Sequence, residues 1–264
     1  MKKEVKLVKK VKRFLRRLNC PRYLHHFGPK KYAFYQHILA LLVGKMCRLS
    51  FRRVCKLLEL LEVKVPTYSA LCKMRKRIPS QLWNALLQAT CAFKSNLVSI
   101  DSTGFSRTNP SWYYIKRIDR KKPVKSYVKL SSFFDTKRKK FLALKARARL
   151  RHDIMDVPAL FRQRRDFNGL VGDSAYDAES LHEQAFNLGI KTIIKPKKNV
   201  KRGFYRRKQK KNYRARIYGR RSMHESGFSS LKRKYGGVVS GKSFLTQRSE
   251  LYCGALAHNL GLRD

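Results

Sequence analysis

The spacing of hydrophobic positions changes once along the chain, near residue 95. Before that point apolar residues recur every three or four positions, as on one face of a helix. Val5, Val8, Val11, Leu15 and Leu18 do so with Lys and Arg between them, which predicts a basic amphipathic helix over residues 1–18. Asn19, Pro21, Gly28 and Pro29 end that pattern. KYAFYQHILALLVGKM, residues 31–46, predicts a buried helix. Ser50 can cap a helix over 51–62, where Val54, Leu57, Leu58 and Leu61 form one stripe before Pro66 stops it. Residues 68–78 predict a short helix carrying Lys73, Arg75, Lys76 and Arg77. Three short helices ending in a basic one resemble a helix-turn-helix, and an ordinary bundle with a solvated basic face fits the same pattern. Residues 1–92 therefore form a helical, candidate DNA-binding region.

From residue 96 the pattern is that of strands. NLVSIDSTGF holds an apolar run leading into Asp101. KSYVKLSSFFDT (125–136) and KFLALKARARL (140–150) predict a hairpin after it. A helix over 153–165 follows, then a short strand ending at Asp173. A helix over 178–189 is capped by Asp177 and ended by Gly189, and IKTIIKPK is a strand ended by Pro196. Residues 197–216 are mostly basic and predict a loop or arm, with Phe204, Tyr205 and Tyr213 set among Lys and Arg in a way that suits gripping DNA. Helices over 218–235 and 243–260 complete the chain. Three strands and then alternating helix and strand predict an α/β domain over 93–264, a mixed sheet flanked by helices. Asp101 and Asp173 fall at carboxyl ends of apolar strands, where open α/β sheets build their sites.

Charge narrows the partner. The 264 residues include 63 Lys plus Arg against 16 Asp plus Glu, a formal charge of +47. Such self-repulsion calls for a polyanion, and the basic residues are spread along the chain, so a nucleic acid contacted over a wide surface is expected. No apolar run approaches the ~20 residues of a spanning helix, so no membrane is expected. The first residues lack the apolar core of a secretion signal. The six cysteines form no C-x-x-C pair and read as reduced thiols, which suits a cytoplasmic protein.

Among 20 Lys plus Arg in residues 184–249, Glu225 is the lone acid. At ~100° per residue, Tyr218, Arg221, Glu225 and Lys232 share one helical sector. Ion contacts on a solvated helix would explain that face. So would a phosphate-handling site, in which a carboxylate holds a cation and Arg and Lys meet phosphate oxygens. Asp135, Asp153 and Asp156 read as surface pairs or caps. Trp112 in NPSWYYIK could pack in the core or stack on a base.

Y-x2-R-x3-E-x6-K, met by Tyr218, Arg221, Glu225 and Lys232, resembles the YREK signature of DDE transposases from bacterial and archaeal insertion sequences. Asp101 in IDST and Asp173 in GDSAYD resemble that family's two aspartate motifs. The resemblance runs from about residue 96 to 240. It implies a ribonuclease-H-like fold and three catalytic carboxylates, Asp101, Asp173 and Glu225, holding two Mg²⁺ or Mn²⁺ ions. It also implies DNA binding by Tyr218, Arg221 and Lys232, action on double-stranded transposon ends and target, a homodimer on DNA, and a prokaryotic, nucleoid-associated location. Some members carry a long insertion before the glutamate helix, where this chain has about 20 residues. A basic nucleic-acid-binding relic and a nuclease without strand transfer are the two other readings.

Overall fold

The computed structural model describes residues 2–24, 30–108, 127–149, 151–197, 202–211 and 213–261. Trp112 lies outside the described residues. The chain forms two compact units: Met1–Ala92 with Lys234–Gly236 and Gly241–Asp264, and Phe93–Arg233 with Gly237–Ser240.

The first unit is helical. It holds α1 (Lys2–Arg17), α2 (Phe34–Met46), α3 (Phe51–Leu60), α4 (Tyr68–Arg77) and α5 (Ser80–Ala89). Ser50 and Thr67 cap α3 and α4 by accepting from the amides of Arg53 and Ala70. The sequence reading missed α5, which buries Trp83, Leu86 and Leu87 after a start at Pro79. The C-terminal helix, Phe244–Gly261, packs within the helical unit. Leu251, Tyr252, Cys253, Ala255, Leu256 and Ala257 are all buried, and a helix apolar on most sides must be enclosed by other helices. Its polar groups are met there as well. Trp83 Nε1 donates to Ser249 Oγ, which donates to the Arg75 carbonyl, and Lys45 pairs with Glu250 at 3.1 Å.

The second unit is a mixed sheet of order β3-β2-β1-β4-β5, with β1 (Ser95–Arg107), β2 (Tyr127–Asp135), β3 (Phe141–Arg147), β4 (Phe167–Gly172) and β5 (Lys191–Ile194). β1, β2 and β3 are antiparallel, β4 and β5 run parallel to β1, and a two-residue β6 (Val238–Val239) pairs with the end of β1. This is the expected α/β architecture, a mixed sheet flanked by helices. Short helices α6 (Val157–Gln163) and α7 (Glu179–Asn187) make the crossovers. On one face Phe133 packs edge-on against Phe161 and Phe167.

The basic segment expected as a loop contains a helix, α8 (Phe204–Lys211). Glu179 accepts from the amides of Tyr205 and Arg206, capping its start. Arg206 grips the buried Asp177 and Gln209 donates to the Ile194 carbonyl, so α8 is fixed to the sheet domain. Asp177 therefore does not cap α7. Its carboxylate serves Arg206, His182 and the Lys197 amide, which hold its pKa below the usual range despite burial. The helix expected over 218–235 is also broken. A short α9 (Ala215–Tyr218) and a tighter turn (Gly219–Arg221) lead into α10 (Ser222–Tyr235).

α10 lies on the other sheet face through His224, Gly227, Phe228 and Leu231, spaced as one helical stripe. A Cβ on Gly227 would meet the Phe134 ring at 2.6 Å, so glycine sets how closely helix and sheet approach. Gly227→Ala is expected to lower stability by ~1–3 kcal/mol, because overpacking against a fully buried ring outweighs alanine's ~1 kcal/mol propensity gain. Chemical unfolding measures it, and an equally stable alanine variant would contradict the close approach.

Candidate active site

Asp101 comes from the middle of β1, not from its end as the sequence suggested. β1 continues to Arg107 and stays paired with β2 as far as Ser106, with Asp101 opposite Ser132. The parallel pairing of β1 with β4 stops earlier, at Ser99 opposite Val171. Asp101 and Asp173 each lie two residues beyond that last pair, so the two aspartates stand at one level where β4 leaves the sheet. Asp173 caps the next turn by accepting from the Ala175 amide at 2.9 Å. Glu225 rises from the first turn of α10, 54% exposed at its side chain.

The three carboxylates face one guanidinium. Arg221 Nη2 contacts Glu225 at 2.6 Å and Arg221 Nη1 lies 3.7 Å from Asp101. Arg221 also interacts electrostatically with Asp173 and Tyr218, and its own pKa is raised by these neighbours against the effect of burial. Burial pushes the Asp101 carboxyl up to about 6, with Asp173 and Glu225 adding to the rise and the Ser102 amide and Arg221 opposing it. Lys232 Nζ donates to Thr103 Oγ1 at 2.7 Å and sits over the Phe105 ring, and burial lowers its pKa. A groove of about 680 Å³ is lined by Asp101, Ser102, Thr103, Glu225, Lys232 and Arg233. Tyr218 packs its ring near Tyr213, 5.8 Å between centroids.

Behind this groove is a layer that sequence reasoning read as surface pairing. Ser102 Oγ donates to Asp153 at 2.7 Å, and Arg147 spans Asp153 and the buried Asp156. Lys129 pairs with Asp153, and Ser131 donates to Asp156. Asp135 does act as a turn cap, accepting from the amides of Lys137 and Arg138. In α4, Lys73, Lys76 and Arg77 are exposed, as a duplex-binding surface needs. Arg75 is not available in the same way. It lies over Phe51 and 3.8 Å from Glu250.

Among the described residues, no three His, Cys, Asp or Glu side chains are gathered closely enough to hold a metal ion as they stand. Arg221 occupies the position between Asp101 and Glu225. The donor chemistry nonetheless fits a hard divalent cation. All three donors are carboxylate oxygens, the ligand type that such a cation takes. No described helix is long and apolar enough to cross a membrane.

The site thus sets Asp101 and Glu225 about Arg221 beside a groove that also holds Lys232. The family model for the transposase DDE domain matches residues 92–260, well over half of the chain, and the protein belongs to that family. That family supports a transposase or nuclease enzyme, and its DDE domains generally use divalent metals. Among curated proteins none matches the chain. A crystal structure of a pre-cleavage Mos1 transpososome is similar at 12% identity, covering 94% of this chain and 83% of that one, with a TM-score of 0.21, too low to carry a statement about this chain.

Proposed function

We infer that the protein is the transposase of an insertion sequence of the YREK-signature group. It binds the element's terminal repeats, hydrolyses DNA strands at their boundaries and joins the 3′ ends to target DNA. The observation carrying this reading is the disposition of Asp101, Asp173 and Glu225 around Arg221, at the rim of a groove that also holds Lys232. Bound by those carboxylates, two Mg²⁺ or Mn²⁺ ions would supply activation of the attacking hydroxyl and stabilisation of the leaving oxygen.

The chain's own residues do the rest. Arg221 exchanges its carboxylate partners for a DNA phosphate, for which its planar fork is suited. Lys232 turns from Thr103 to a second phosphate, and Tyr218 flanks the strand. Lys73, Lys76 and Arg77 meet the duplex backbone. A homodimer bridges the two ends, in a prokaryotic cytoplasm where the nucleoid is the available DNA.

The test incubates the protein with Mg²⁺ and duplex carrying a candidate terminal repeat. Nicking at the repeat boundary, lost in Asp173→Ala, is the expected outcome. Binding without cleavage under any divalent metal would overturn the enzymatic reading. Cleavage without joined products would leave a nuclease.

A further inference from the structure

The stripe that seats α10 on the sheet is apolar except at one position. His224 is fully buried, with its ring stacked on Phe134 at 5.1 Å and 4.5 Å from the Phe228 centroid. Both ring nitrogens are satisfied by serine hydroxyls that are themselves fully buried. Nδ1 is 3.0 Å from Ser99 Oγ and Nε2 is 2.7 Å from Ser132 Oγ. In a neutral ring one nitrogen donates and the other accepts, and each serine can take either part.

These two serines are not arbitrary points on the sheet. Ser132 is the cross-strand partner of Asp101 on β2, and Ser99 lies two residues before Asp101 on β1. With side chains alternating along a strand, Ser99, Asp101 and Ser132 share the face under α10. His224 is the neighbour of Glu225 in α10. One imidazole thus ties the backbone that carries Glu225 to the two residues that bracket Asp101.

Apolar contacts resist separation of helix and sheet more than sliding between them, because burial has no direction. A slip of one residue along α10 is ~1.5 Å. Hydrogen bonds from two nitrogens to two fixed hydroxyls form at one axial position and one rotation only. Buried polar networks specify a unique arrangement in this way when every member is satisfied. We propose that His224 is a positioning residue, which with Ser99 and Ser132 fixes the helix-on-sheet register of Asp101 and Glu225, from which their side chains close on a divalent cation once Arg221 leaves them. This rests on reading Asp101 and Glu225 as metal ligands.

Mn²⁺ binding to the full-length, DNA-free protein tests the idea by electron paramagnetic resonance, well below the melting temperature. His224→Phe keeps the volume and aromatic packing but loses both hydrogen bonds. It is expected to bind Mn²⁺ ~10–100-fold more weakly, the range seen when groups supporting metal ligands are removed. Binding to duplex without metal should stay within about twofold. His224→Gln, which can reach a serine with each end of its amide, should recover part of the affinity. A purely structural histidine would lower the melting temperature and leave the affinity of the folded protein alone. Ser132→Ala gives the same reading, with a smaller loss, if the phenylalanine variant does not fold. Parental Mn²⁺ affinity in the folded His224 and Ser132 variants, with binding lost in Asp101→Ala and Glu225→Ala, would overturn the positioning role and leave the metal site standing. Parental affinity in Asp101→Ala and Glu225→Ala would overturn the metal reading itself.

Discussion

Glu225→Gln is expected to abolish strand cleavage while duplex binding stays within about twofold of the parent protein. Gln keeps the size of the side chain and one carbonyl oxygen but loses the charge a divalent cation requires. No other acid between residues 184 and 249 can take its place. The loss should reach ~10³-fold or more, since each 1.4 kcal/mol of lost transition-state stabilisation costs tenfold and a metal centre supplies several. Binding is spared because +47 of formal charge is spread over the whole chain, so one charge alters the phosphate contacts little. The variant also releases Arg221 from its 2.6 Å contact, which favours DNA contact if anything. Gel-shift and nicking assays on one preparation separate the two effects. Cleavage at the parental rate by this variant would remove Glu225 from the site.

Asp101→Asn is expected to destroy the same activity and stabilise the fold. Asp101 has a folded pKa of about 6, above its ordinary 3.8, and the first cause is burial. Above pH 6 the native chain keeps a charge in a poorly solvated place that the unfolded chain keeps in water, so the charge subtracts from stability. As pH falls from 6 toward 3.8 the native carboxyl takes up its proton first, and the penalty vanishes. Asparagine removes that penalty and still accepts from the Ser102 amide, at the loss of a 3.7 Å attraction to Arg221. The net gain should be ~1–3 kcal/mol at pH 7.5 in a chelator, closing by pH 4. Urea unfolding at the two pH values measures it. An asparagine variant no more stable than the parent at pH 7.5 would mean that Asp101 carries no such strain. A carboxylate kept in a place that costs stability is what a site built for a cation requires.

Most elements were legible because their signals are local. The period-3.6 stripes of α1 to α4 and the apolar runs of β1, β4 and β5 each depend on a few consecutive residues. Asp101, Asp173 and Glu225 were legible for another reason. An acid that an apolar strand runs into is costly unless it is paired or used, and a single acid among 20 cations stands out by its sign. What was missed depended on partners far along the chain. Residues 197–216 looked like a free arm because no local signal shows that Glu179 and Asp177 bind the start of α8. Asp153 and Asp156 looked exposed because their partner Arg147 reads as an ordinary cation of β3. Arg75 looked like a DNA contact until Glu250, 175 positions later, drew it inward. His224 carried a usable signal, a polar residue on the buried stripe of Phe228 and Leu231, but its two serines lie on different strands.

The sequence by itself determined most of the order of helices and strands, the cationic character and the three acids that are candidates for the site, since spacing, charge and residue type are properties of neighbours on the chain. Only the tertiary structure decided that β1 outruns β4 beneath Asp101, that Arg221 stands between the carboxylates, and that His224 ties Glu225 to Asp101. Those facts are distances between residues tens of positions apart. Strand pairing sets the first, and the packing of α10 on the sheet, through Gly227 and a buried imidazole, sets the last.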